Sequence, residues 1–87
     1  MRCYVYRSSR QREAYLYLSS PTILERLPES LRRSFGRPEL VLELVLTPQR
    51  QLARESAGQV LESLLARGFH LQLPPQPQVG PLPKPLP

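Results

Sequence analysis

Residues 3–18 read Cys-Tyr-Val-Tyr-Arg-Ser-Ser-Arg-Gln-Arg-Glu-Ala-Tyr-Leu-Tyr-Leu, and how this stretch folds on itself decides the architecture. Its two ends, 2–7 and 14–18, are aromatic or β-branched runs of strand length. The polar middle, 8–13, contains no Gly or Pro. A hairpin with a loop of four or more residues therefore fits better than a tight primed turn. Pairing Tyr6 with Tyr15 and Tyr4 with Tyr17 is the natural register for such a loop. Directly opposed residues share a face, so this register collects Tyr4, Tyr6, Tyr15 and Tyr17 on one side. Cys3, Val5, Leu16 and Leu18 then occupy the other.

Further along the chain, Ser20-Pro21 reads as an N-cap followed by proline in the first helical turn. Pro28 divides the segment, which predicts two short helices near 21–26 and 28–35. Leu24, Leu27, Leu31 and Phe35 form their buried stripe, and Gly36 with Pro38 ends the second helix. Residues 40–46 read as a strand with Leu40, Leu42, Leu44 and Leu46 on one side and Val41, Glu43 and Val45 on the other. Residues 47–54 suggest at most a single helical turn. Ser56-Ala57-Gly58-Gln59 is a capping box of the S-x-x-Q kind. It opens a helix over 57–67 whose apolar face is Ala57, Val60, Leu61, Leu64 and Leu65, and Gly68 stops it. A last strand, 69–73, alternates Phe69, Leu71 and Leu73 with His70 and Gln72.

The element order is thus ββααβαβ, an α+β domain with a four-stranded sheet and the leucine-bearing strand faces meeting the long helix. The last three elements would form a right-handed crossover if their strands were parallel. Seven of the eleven prolines lie between Pro74 and Pro87, so residues 78–87 are expected to be a disordered, proline-rich tail outside the fold.

The chain has 87 residues and a formal net charge of +5, enough for one small domain with a thin core. No apolar run approaches the roughly 20 residues of a membrane helix, and no signal peptide is read at the N-terminus. One Cys and one His cannot supply a metal site of ordinary ligand count, and no cofactor is implied. A cytoplasmic domain without membrane or metal is the expectation. The charge is lopsided: residues 1–37 hold eight Arg against three Glu, so the whole excess lies there.

Three stretches together resemble the YcgL family: Cys3-Tyr4-Val5-Tyr6-Arg7-Ser8-Ser9 with Tyr15-Leu16-Tyr17; the segment around Phe35-Gly36-Arg37-Pro38; and Gly68-Phe69-His70-Leu71-Gln72-Leu73-Pro74-Pro75. The last is the most specific. The resemblance spans about residues 1–77 and implies an α/β/α sandwich and a cytosolic bacterial protein. It implies no activity, so no catalytic residue is carried over. His70 stands where the family commonly has an aromatic such as Tyr.

The residues themselves offer three readings. Arg2, Arg7, Arg10, Arg12, Arg26, Arg32, Arg33 and Arg37 form a basic set suited to RNA or another acidic partner, with the tyrosine face as a platform for stacked bases. The bland alternative is a solvated, Arg-rich surface. A protein–protein adaptor would instead use the sheet face, a strand edge or the proline tail. Glu43 and His70, both on the expected tyrosine face, are raw material for acid–base chemistry. A separation beyond about 8 Å would exclude them as a direct pair. Cys3 reads as a buried, inert thiol.

Overall fold

The computed structural model describes residues 1–52 and 55–74. The expected tail at 78–87 lies outside the described residues. Four strands, β1 (Arg2–Arg7), β2 (Tyr15–Leu18), β3 (Glu39–Val45) and β4 (Phe69–Gln72), form one sheet in the order β3-β1-β2-β4. Each neighbouring pair is antiparallel. A 3₁₀ segment, Pro21–Arg26, and helix α1 (Glu29–Phe35) follow β2, and helix α2 (Ala57–Arg67) joins β3 to β4.

The local signals explain these boundaries. Ser20 Oγ accepts from the Thr22 amide at 3.4 Å, and Ser56 Oγ accepts from the Gln59 amide at 3.4 Å, each satisfying an orphan donor of a first turn. Gly68, at φ 88°, closes α2 in the left-handed conformation, and its N–H donates to the Leu64 carbonyl. Of the 47–54 segment, the described residues 47–52 contain a turn in which the Arg50 amide donates to the Thr47 carbonyl at 3.0 Å.

Two long-range expectations are corrected. The strands flanking α2 are the two edges of the sheet and are not adjacent, so they make no parallel β-α-β crossover. The hairpin is also out of the expected register by one residue: Tyr4 pairs with Leu18, Val5 with Tyr17, Tyr6 with Leu16 and Arg7 with Tyr15. Because side chains alternate with period two, that slip sends the tyrosines to different faces. Tyr4 and Tyr6 lie with Leu16, Leu18, Phe69 and Leu71, in a core built with Leu27 and Phe35 from the short helical segments. Tyr15 and Tyr17 lie with Cys3 and Val5, in a second core built with Leu44, Leu46 and Ala57, Val60 and Leu64. The long helix therefore meets Cys3, Val5 and the second tyrosine pair, and the leucines of β2 meet the short helices.

A further irregularity re-sorts β3. Val5 pairs with Leu42 but Tyr6 pairs with Leu40, so Val41 is an extra residue at a bulge. Leu42 and Leu44 keep to the α2 face, whereas Leu40 turns to the Tyr6 face and stands apart from its expected row. Leu65, read as part of the buried stripe of α2, is 74% exposed.

Candidate functional site

The loop between β1 and β2 is where the sequence excess of charge acquires a shape. Ser8, almost fully buried, donates its hydroxyl to the Phe35 carbonyl at 2.5 Å and accepts from the Arg10 and Gln11 amides. Ser9 Oγ accepts from the Arg37 amide at 2.7 Å, and the Arg10 guanidinium donates to the Arg33 carbonyl at 3.0 Å. These bonds fasten the hairpin loop to the C-terminus of α1. Arg10 is thus a cationic cap on carbonyls that carry the negative end of the helix dipole.

The fastening brings Arg10, Arg33 and Arg37 into one basic corner, with Arg12 in the same loop and Arg32 one residue before Arg33 in α1. The other members of the predicted set stand differently. Arg2 and Arg7, at opposite ends of β1, pair with Glu43 and Glu39 at 2.7 and 2.6 Å. Arg26 ends the 3₁₀ segment, at the far end of α1 from the corner. Arg33 pairs with Glu29 at 2.8 Å along the helix. All three pairs are exposed and contribute little stability, but each neutralises a charge. Among the described residues, Arg12, Arg32 and Arg37 have no ion-pair partner.

The tyrosine platform is not assembled. Tyr6 and Tyr17 are each 7% exposed and belong to opposite cores. Burial raises both phenols above their usual range, with Tyr4 and Glu43 adding to the effect at Tyr6 and Glu55, Cys3 and Tyr15 at Tyr17. Stacking of unpaired bases needs open ring faces, and these rings are taken up by packing.

Glu43 and His70 are likewise separated. Glu43 sits on β3 opposite Tyr4, and His70 on β4 opposite Tyr17, so they occupy opposite faces at opposite edges. Three strand spacings, about 14 Å, lie between those edges, which excludes a direct acid–base pair. His70 instead bonds through Nδ1 with Ser63 Oγ at 3.0 Å and through Nε2 with Glu55. Its ring meets Tyr17 edge-on at 6.0 Å. The network ties the loop before α2, α2 itself and β4 together. Sequence reading missed Glu55 and Ser63; Ser63, seven residues before His70, faces it only because Gly68 turns the chain back from α2 into β4.

Cys3 is fully buried, and that burial lifts its thiol from 9.0 to about 11. The consequence for stability has a definite sign. The unfolded chain loses the thiol proton near pH 9 and the folded chain only near 11, so stability is level below pH 9 and falls between 9 and 11. The two shifted tyrosines act in the same direction above pH 10. Urea unfolding should lose roughly 2 kcal/mol over that window from the thiol alone. Cys3→Ala should flatten the slope, and an unaltered slope would contradict this account.

Two cavities lie among the described residues. One of about 490 Å³ lies beside the basic corner, with Leu16, Leu27 and Phe35 within and Arg32 and Arg33 at its margin. The other, of about 360 Å³, lies on the α2 face of the sheet.

The arrangement defines a small α+β domain with a fastened basic corner, and the comparisons place it among known proteins. The YcgL domain profile matches residues 3–75; the chain belongs to the YcgL domain family. It is 52% identical over 73 residues to a YcgL domain-containing protein of Pseudomonas aeruginosa PAO1, covering 84% of this chain and 75% of that protein. Over 76 residues it is 50% identical to one from Thioalkalivibrio sulfidiphilus, covering 87% of this chain and 94% of the relative. A third, from Azotobacter vinelandii, is 49% identical over 73 residues, covering 84% of this chain and 75% of the relative. No described helix is long and apolar enough to cross a membrane.

Proposed function

We propose that this protein is a non-enzymatic, cytoplasmic binding module whose α/β/α sandwich presents a basic corner to RNA. Two apolar cores built on alternate strand residues support the sandwich. The observation that carries the RNA reading is the fastening of the hairpin loop to the end of α1, which anchors the Arg10 guanidinium on the Arg33 carbonyl and the Arg37 backbone on Ser9. Guanidinium groups held in place lose less freedom on meeting phosphates than mobile ones do. With Tyr6 and Tyr17 buried and the four tyrosines divided between the two sheet faces, the corner would read the phosphate backbone and not the bases. Binding of a mixed-sequence single-stranded RNA should therefore be sequence-tolerant and steeply salt-dependent. Fluorescence anisotropy at low and moderate salt checks this, and no salt-sensitive binding at low salt removes the reading.

A second reading, a protein–protein adaptor, is favoured by β3. This edge strand leaves Leu40, Val41, Leu42 and Val45 between 43% and 57% exposed, the kind of edge on which a partner adds a strand. A partner recovered from nuclease-treated lysate should be lost on Val41→Lys. Recovery that disappears with nuclease alone returns the case to RNA.

A further inference from the structure

The cavity on the α2 face has a chemistry of its own. Val5, Leu42 and Leu44 supply apolar wall from β1 and β3, Tyr17 and Gln72 come from β2 and β4, and Arg50 stands on the loop above. Its volume of about 360 Å³ falls within the range of small-molecule sites.

Two of its polar side chains, Gln72 and Arg50, can donate, and they stand beside Tyr15 and Gln51 in the lining. Gln72 is only 5% exposed, and its Oε1 accepts from the Tyr17 hydroxyl at 2.8 Å. Its amide nitrogen, with two N–H groups, has no hydrogen-bond partner among the described residues. No side-chain polar atom among them is both sealed from solvent and unpartnered. The Gln72 amide nitrogen is therefore accessible, and Gln72 is among the residues that line the cavity. Arg50 is the charged member of the described lining and has no ion-pair partner among the described residues. Glu55, whose charge reaches Tyr17, is engaged by His70.

We propose that this cavity binds a small amphipathic carboxylate. Its hydrocarbon part lies against Val5, Leu42 and Leu44, and its carboxylate meets the Arg50 guanidinium and the Gln72 amide. Apolar walls reward the hydrocarbon by burial. A partly desolvated carboxylate is acceptable only where a cation and directed donors replace its water.

The test is a titration of the isotope-labelled protein, followed by amide NMR shifts, with octanoate and separately with 1-octanol. Octanoate should give saturable shifts at Val5, Tyr17, Leu42 and Gln72, with 1-octanol about tenfold weaker or more, the size of a charge-assisted hydrogen bond. Arg50→Gln, an exposed loop change that spares the core, should remove that advantage and leave 1-octanol binding as it was. Arg32→Gln, beside the other cavity, should change neither. Absence of saturable octanoate shifts, equal binding of the alcohol, or insensitivity to Arg50→Gln would each overturn the proposal.

Discussion

Gly36→Ala is expected to destabilise the protein by about 2–4 kcal/mol, whereas Gly58→Ala is expected to stabilise it slightly. Gly36 adopts φ 79° and ψ −147°, a region that essentially only glycine visits and that costs other residues about 1–3 kcal/mol. A Cβ there would stand 2.5 Å from Ser9 Oγ and closer still to Arg10 Cγ. Relieving that overlap means lifting the hairpin loop from α1, which sacrifices the Arg37 amide to Ser9 bond, a further kcal/mol or so. Domains of this kind are stable by about 0.05–0.15 kcal/mol per residue, so the loss is a large share of the total. Gly58 sits in the first turn of α2 with only Ser56 Oγ within 4 Å, at 3.8 Å, and alanine there gains up to about 1 kcal/mol of helix propensity. Chemical denaturation of both variants provides the check. A Gly36→Ala midpoint within error of the wild type would mean that the loop and helix are not fastened as described.

That junction also explains what the sequence made legible and what it hid. Caps and stops act through the nearest few residues, so Ser20, Gly36, Ser56 and Gly68 announced their elements from the sequence alone. Register is a different matter. The pattern Tyr-Val-Tyr facing Tyr-Leu-Tyr is apolar in both phases, because both sheet faces are buried and neither phase exposes a run of apolar residues. Local chemistry decides the phase. Ser8 turns its hydroxyl back to the Arg10 and Gln11 amides, Glu13 takes φ 63°, and the Ser8 amide closes the loop on the Ala14 carbonyl. The Val41 bulge hid for the same reason, since a Leu-Val alternation reads equally well with an extra residue. The paired site Glu43 and His70 depended on strand order, which no local signal carries. The basic corner was half legible: the arginines were counted correctly, but the serines that gather them were read only as loop.

If the corner binds RNA, reversing Arg12, Arg32 and Arg37 to Glu should abolish affinity, while reversing Arg26, Arg50 and Arg67 should not. Each triple takes the formal net charge from +5 to −1, each reversal removing two charges, so the two variants are matched in net charge, the second also giving up the Arg67 guanidinium over the Phe69 ring. The first set has no ion-pair partner among the described residues and leaves the Arg10 to Arg33 and Arg33 to Glu29 contacts in place. Its main structural cost is an acidic side chain near the end of α1, about 0.3–1 kcal/mol, which circular dichroism and denaturation would register. With about four phosphates engaged, affinity should fall roughly fifty-fold between about 50 and 200 mM salt. The first triple should push binding below detection even at the lower salt, and the second should shift it only through the weaker long-range field, screened beyond about 10 Å at 0.1 M. Equal losses from the two triples would mean that the protein attracts RNA by net charge alone, and the fastened corner would then be a structural joint without a ligand.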